Sequence, residues 1–212
     1  MHSRTSRDRL GDTAIAAVTV VALGSGVWLL GCGAGTHAPP QPAAVEGRPD
    51  PGDERLAAPA LAPSLPTRIR IPAIHVDAPL MGLALTRSGS LDVPPARNKN
   101  LAGWYEAGTI PGETGTAIVA GHVDNAEGPA VFYDLGALKR GARIEVDRKD
   151  GSVAVFTVDA VEVYAANNFP DHKVYGAAPR PELRVITCGG GYSKTAGYLG
   201  NVVVFAHLTG GR

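Results

Sequence analysis

Apolar and polar positions alternate in short runs along the C-terminal two-thirds of the chain, and the runs read as strands. Arg68-Ile69-Arg70-Ile71 has the two-residue period of a half-buried strand, stopped by Pro72. Pro79–Leu85 and Leu91–Val93 predict two more short strands, with Ser88-Gly89-Ser90 as the turn between them. A further strand is expected around Trp104 and Tyr105. Thr116–Ala120 is a continuous apolar strand that ends at Gly121-His122. Ala142–Asp147 and Val153–Val163 flank Lys149-Asp150-Gly151-Ser152, a strong hairpin turn. Leu183–Cys188 and Asn201–His207 complete the set. Only Val131–Leu138 carries a helical spacing, through Val131, Leu135 and Leu138. About eight strands and hardly any helix predict a mainly β fold, a barrel or sandwich of chiefly antiparallel strands.

The N-terminal third follows other rules. Arg4, Arg7 and Arg9 precede residues 13–35, which hold no charged side chain. About 20 apolar residues span a bilayer, and a basic flank stays cytoplasmic. Residues 1–12 are therefore expected in the cytoplasm and 13–35 to form a signal-anchor, with everything downstream outside the membrane. Leu29-Leu30-Gly31-Cys32 resembles a lipobox, so lipidation at Cys32 is the alternative; a plain cleaved signal is the third. Eight prolines fall between Pro39 and Pro66. Residues 36–66 then read as an extended, semi-rigid linker, and residues 67–209 as the folded domain.

Charge narrows the function. Twenty basic and 20 acidic residues balance to zero, which argues against nucleic acid as a partner. No Cys/His grouping has metal-ligand spacing, no phosphate-binding loop is present, and no cofactor is expected. Of the two cysteines, Cys32 belongs to the apolar N-terminal segment, so Cys188 is expected as a free thiol. Cys188 ends the β-branched run Val185-Ile186-Thr187, and Gly189-Gly190-Gly191 is expected to stop the strand there, fixing the thiol beside an open loop. His122 follows Gly121 at the end of Thr116–Ala120 in the same way. If both strands belong to one barrel, thiol and imidazole can share its mouth, and such a pair can perform nucleophilic and acid–base chemistry. Asp124, two residues past His122, could orient the imidazole, but such loop residues more often face solvent. Of the other histidines, His207 at the end of the final strand is the one further candidate; His2, His37, His75 and His172 fall in loops and polar segments.

Three blocks, Thr116–Asp124 (TAIVAGHVD), Leu183–Gly190 (LRVITCGG) and Tyr198–Ala206 (YLGNVVVFA), resemble in order and spacing the signature of a sortase of the actinobacterial class E/F type. The likeness covers residues 67–209, and anchor and linker fit it too. It implies an eight-stranded sortase-like β-barrel bearing a membrane-tethered, extracytoplasmic cysteine transpeptidase. Cys188 would attack the Thr–Gly carbonyl of an LPxTG-like sorting signal near a substrate protein's C-terminus and form a thioacyl-enzyme. His122 would protonate the departing amine, and an amine acceptor in the cell wall or on a pilin would then take the acyl group. Ile186, Thr187 and Asn201 would contact substrate. Many sortases carry an arginine at a register that falls here near Leu199–Asn201, where there is none. Arg184, four residues before Cys188 and so on the same strand face, is the substitute expected by alternation; Asn201 could donate more weakly. Arg212, the last residue, is expected in a flexible tail. Two alternatives remain at this stage. An L,D-transpeptidase usually sets a histidine and a glycine before its cysteine, where this chain has Ile186-Thr187. A non-catalytic, membrane-tethered wall-binding barrel would keep Cys188 buried and inert.

Overall fold

A computed structural model describes residues 38–47 and 57–212. The expected anchor at 13–35, the lipobox at Cys32, His2 and His37 lie outside the described residues.

Eight strands close into a barrel: β1 (Pro66–Ile71), β2 (Val76–Leu83), β3 (Ala102–Tyr105), β4 (Gly115–Gly121), β7 (Arg143–Arg148), β8 (Val153–Ala165), β9 (Pro181–Ser193) and β10 (Gly197–Gly211). Around the barrel the order is β1-β2-β3-β4-β9-β10-β8-β7. A two-stranded hairpin, β5 (Asp124–Asn125) with β6 (Gly128–Pro129), stands apart from it. All neighbours in the barrel are antiparallel except β2 with β3 and β4 with β9. Parallel neighbours need long crossovers. The first is the loop 84–101; the second is the whole chain from 122 to 180.

Alternation sorts each strand between two apolar layers. Ile69, Ile71, Val119, Phe156, Leu183, Val185 and Val204 fill the barrel interior at 0 % exposure. The opposite face of β4, β9 and β10 carries Ile118, Ile186, Val203 and Phe205. This outer patch is covered by the segment 166–180, which contains a single-turn helix, α1 (Asp171–Tyr175), whose Val174 is fully buried. Being covered on both faces explains the unbroken apolar run of β4. The expected wholly irregular stretch before β9 therefore contains a packed helical turn.

Several elements differ from expectation. Val131–Leu138 is a turn followed by one 3-10 turn, Leu135–Ala137, and not an α-helix. Its apolar residues are buried as the spacing implied, but eight residues interrupted by Gly136 are too short to sustain a helix. Leu91–Val93 forms only an isolated bridge, Leu85 to Leu91. The glycines after Cys188 do not end the strand: β9 runs on to Ser193 and pairs with β10 as a hairpin. Gly190 and Gly191 take φ of 75° and 94°, so they bend the strand while it continues. Nor is the proline-rich segment a free spacer throughout, since the compact unit begins at Pro39. Ala58 N–H donates to Leu208 O at 2.8 Å and Leu61 N–H to Gly112 O at 2.9 Å, while Lys149 N–H donates to Leu65 O at 2.8 Å. Extended backbone between prolines still has amides to offer, and here the barrel takes them. Arg212 is likewise held, exchanging backbone hydrogen bonds with Val153 and pairing with Glu145 at 2.8 Å.

Candidate active site

Register brings the two reactive groups together. In the parallel pair β4–β9, Ala120 stands opposite Ile186. Continued by two places, that register would put His122, the residue just past the end of β4, opposite Cys188. A side-chain bond holds the juncture: the buried Thr187 hydroxyl donates to Gly121 O at 2.9 Å, joining the residue before the histidine to the one before the cysteine. Across the antiparallel pair β9–β10, Asn201 stands opposite Cys188.

Cys188 is a free, exposed thiol that lines a groove of about 720 Å³. Ile118, Ala120 and Ile186 form the apolar floor, Leu91 and Val93 of the β2–β3 loop one wall, and Tyr175 of α1 belongs to the other. Such a trough suits an extended, mostly apolar peptide. The β2–β3 loop also reaches His122: the imidazole Nε2 lies 2.7 Å from Pro94 O. A ring nitrogen facing a carbonyl must carry the proton, which leaves Nδ1 for exchange with other groups. Burial, and after it the charge of Asp124, push the Cys188 thiol above its ordinary range. The free site therefore holds chiefly the thiol, and forming the thiolate needs a proton acceptor.

The other expected site residues divide. Ile186 and Asn201 line the groove beside Cys188. Thr187 lines it too, but its hydroxyl is committed to Gly121. Asn201 Nδ2 makes one long contact, 3.4 Å to Thr187 O, so an N–H remains to offer. Arg184 shares the strand face of Cys188, as alternation requires, yet its guanidinium is buried away from the groove. It pairs with Glu182 at 2.6 Å and stacks over Phe205 at 4.6 Å. Four residues of strand separate it from the thiol by about 13 Å. His207 is also remote, with 1 % exposure and Nδ1 2.5 Å from Asp159 Oδ1. Among the described residues, no group of three His, Cys, Asp or Glu side chains is placed to hold a metal ion.

Two residues gain weight only in three dimensions. Asp124 is half-buried rather than facing solvent, and it accepts a hydrogen bond from the phenol of Tyr198 on β10. Burial first, then that bond, push the Tyr198 phenol upward, so it stays a donor. The pairing joins residues 74 apart in sequence, and strand spacing carries no sign of it. Asp124 itself lies within the histidine block, but its partner cannot be read there.

A sequence model of the Sortase domain matches residues 69–209. The chain belongs to the sortase family. It is thereby a cysteine transpeptidase, as the family is, and its barrel is the sortase fold. Sortase A of Listeria monocytogenes superposes with a TM-score of 0.53 at 16% identity, over 71% of this chain and 90% of that one. The SrtA sortase of Actinomyces oris gives 0.52 at 20% identity, over 74% and 88%. A lid mutant of sortase A from Corynebacterium diphtheriae gives 0.52 at 22% identity, over 69% and 72%. At these identities the likeness is one of fold. No curated protein matches the chain.

Proposed function

We propose that this sortase, of the actinobacterial class E/F type, is held at the cell membrane by residues 13–35 and works outside the cytoplasm. Its substrates are proteins bearing an LPxTG-like sorting signal near their C-terminus, and its acceptors are primary amines of the wall or of a pilin. The observation that supports this reading is the β4–β9 register, whose continuation past Ala120 and Ile186 brings His122 toward Cys188 beside the groove that Cys188 lines.

The chemistry follows from the groups present. A peptide lying along the groove brings its scissile carbonyl to Cys188. The thiol gives its proton to His122 Nδ1 as the sulfur attacks, and the imidazolium then protonates the departing amine. Asn201 Nδ2–H, freed from its weak contact with Thr187 O, donates to the oxyanion in place of the family's arginine. Pro94 O steadies the ring through Nε2–H while the proton moves at Nδ1. Arg184, paired with Glu182 and stacked over Phe205 of β10, supports the β9–β10 pairing and does not touch substrate.

The test is incubation of the purified full-length protein with a library of LPxTG-like peptides and an amine acceptor, followed by mass spectrometry. An acyl adduct on Cys188 and a peptide–amine product are expected, both absent in Cys188→Ala. Wild-type protein as silent as Cys188→Ala with every peptide would contradict the proposal.

A further inference from the structure

Asp124 leads the β5–β6 hairpin two residues after His122. Tyr198, which binds its carboxylate, precedes by three residues the Asn201 that faces Cys188. The Asp124–Tyr198 bond therefore ties the loop behind the histidine to the hairpin beyond the cysteine. The ring of Tyr198 is itself braced edge-on by Tyr192, with centroids 5.2 Å apart. Among the described residues no basic side chain forms an ion pair with Asp124, and its carboxylate accepts from the neutral phenol of Tyr198.

A half-buried carboxylate here works against the first half of the reaction. Its charge adds to burial in disfavouring the Cys188 thiolate. In the second half the situation reverses. The sulfur is then bonded to an acyl carbon and carries no charge, while the acceptor arrives as a primary ammonium, the charged form of an alkylamine at neutral pH. A fixed negative charge beside the thioester, with no ion-pair partner among the described residues, complements that ammonium.

We propose that Asp124, held in place by Tyr198, is the acceptor subsite, binding the ammonium of the incoming amine beside the thioacyl carbon. This rests on the thioacyl reading above. One proton passes from the bound ammonium to His122, neutral since it protonated the leaving amine. The nitrogen lone pair then attacks the thioacyl carbon, the C–N bond forms and the C–S bond breaks. The departing sulfur takes the second nitrogen proton, which regenerates the thiol and leaves a neutral amide, and His122 returns its proton to solvent. Tyr198 is a positioning residue, acting through the carboxylate.

The test uses full-length protein and a peptide that acylates Cys188. The partition of the thioacyl-enzyme between aminolysis and hydrolysis is measured with diglycine, whose amine is mostly protonated at neutral pH, and with hydroxylamine, which is uncharged there. In Asp124→Asn the diglycine partition should fall about tenfold or more, while the hydroxylamine partition should change far less. Tyr198→Phe, which keeps the charge but releases it, should raise KM for diglycine by a smaller factor. Equal losses for both acceptors in Asp124→Asn, or none, would overturn the assignment of Asp124. A Tyr198→Phe variant equal to wild type would overturn the positioning role. Failure of wild-type protein to form any adduct is a different result, one that overturns the thioacyl reading and this inference with it.

Discussion

Asn201 occupies the place where an arginine would have made the oxyanion easy to explain. A neutral amide is a weaker donor than a guanidinium, but one placed opposite the nucleophile still matters, because loss of one oxyanion donor costs about 10²-fold or more in rate. Asn201→Ala should therefore lower kcat by about 10²-fold with little change in KM, read from steady-state transpeptidation. An equal loss from Arg184→Met, at a temperature where both variants are folded, would return the role to the arginine. The geometry places Arg184 elsewhere, bonded to Glu182. Burial pushes the Glu182 carboxyl up, but hydrogen bonds from Arg184 and Arg180 outweigh it and hold the carboxyl below its usual range. A depressed carboxyl stabilises the fold fully above its unfolded value of about 4.3 and loses that contribution as pH falls through the lower folded value. Glu182→Gln leaves Arg184 buried without its counter-charge and should cost about 3 kcal/mol at neutral pH. The gap in melting temperature from wild type should narrow on acidification below about pH 4.5; a gap that widens would contradict this sign.

At the scale of elements, the β4–β9 seam decides whether the site exists. Its tie is the Thr187 hydroxyl on Gly121 O. Thr187→Val keeps the side-chain shape, removes the donor and leaves a buried carbonyl unpaired, a loss of about 1–3 kcal/mol. Calorimetry should show that loss, and kcat should fall with it because His122 follows Gly121 directly. Unchanged stability and rate would mean the seam needs no such bond. Most of the barrel was legible because two-residue alternation and the buried run of β4 dictate strands whatever their neighbours. The apolar runs leading to His122 and Cys188 were legible as strands, but only His122 follows a strand end, since β9 continues past Cys188 to Ser193. Arg184 misled because alternation fixes the face and not the distance along it, and an ion pair with Glu182 two residues away holds its head. The continuation of β9 through Gly189–Gly191 was hidden because glycine reads as a breaker, whereas here positive φ bends a strand that still pairs with β10. Asp124 with Tyr198 was hidden because long-range pairing leaves no local periodicity.

At the scale of the whole folded unit, part of the expected linker is docked on the closed barrel. Ala58 and Leu61 pack against the core and donate backbone hydrogen bonds to it, and the buried Arg148 guanidinium donates to Ala62 O. Truncation to residue 66 should therefore lower the melting temperature by about 5 °C or more relative to a chain beginning at residue 57. Equal melting temperatures would show that the docked segment contributes nothing. The central claim is that the barrel brings one sulfur and one imidazole together beside one groove, and the rate of Cys188 alkylation by iodoacetamide against pH tests it most directly. In wild-type protein the main rise should lie above the ordinary thiol range of about 8.5, with a departure on its acid side from a single titration. His122→Ala should collapse the profile to one thiol titration. Superimposable profiles for wild type and His122→Ala, or a Cys188 that does not react in either, would contradict the account.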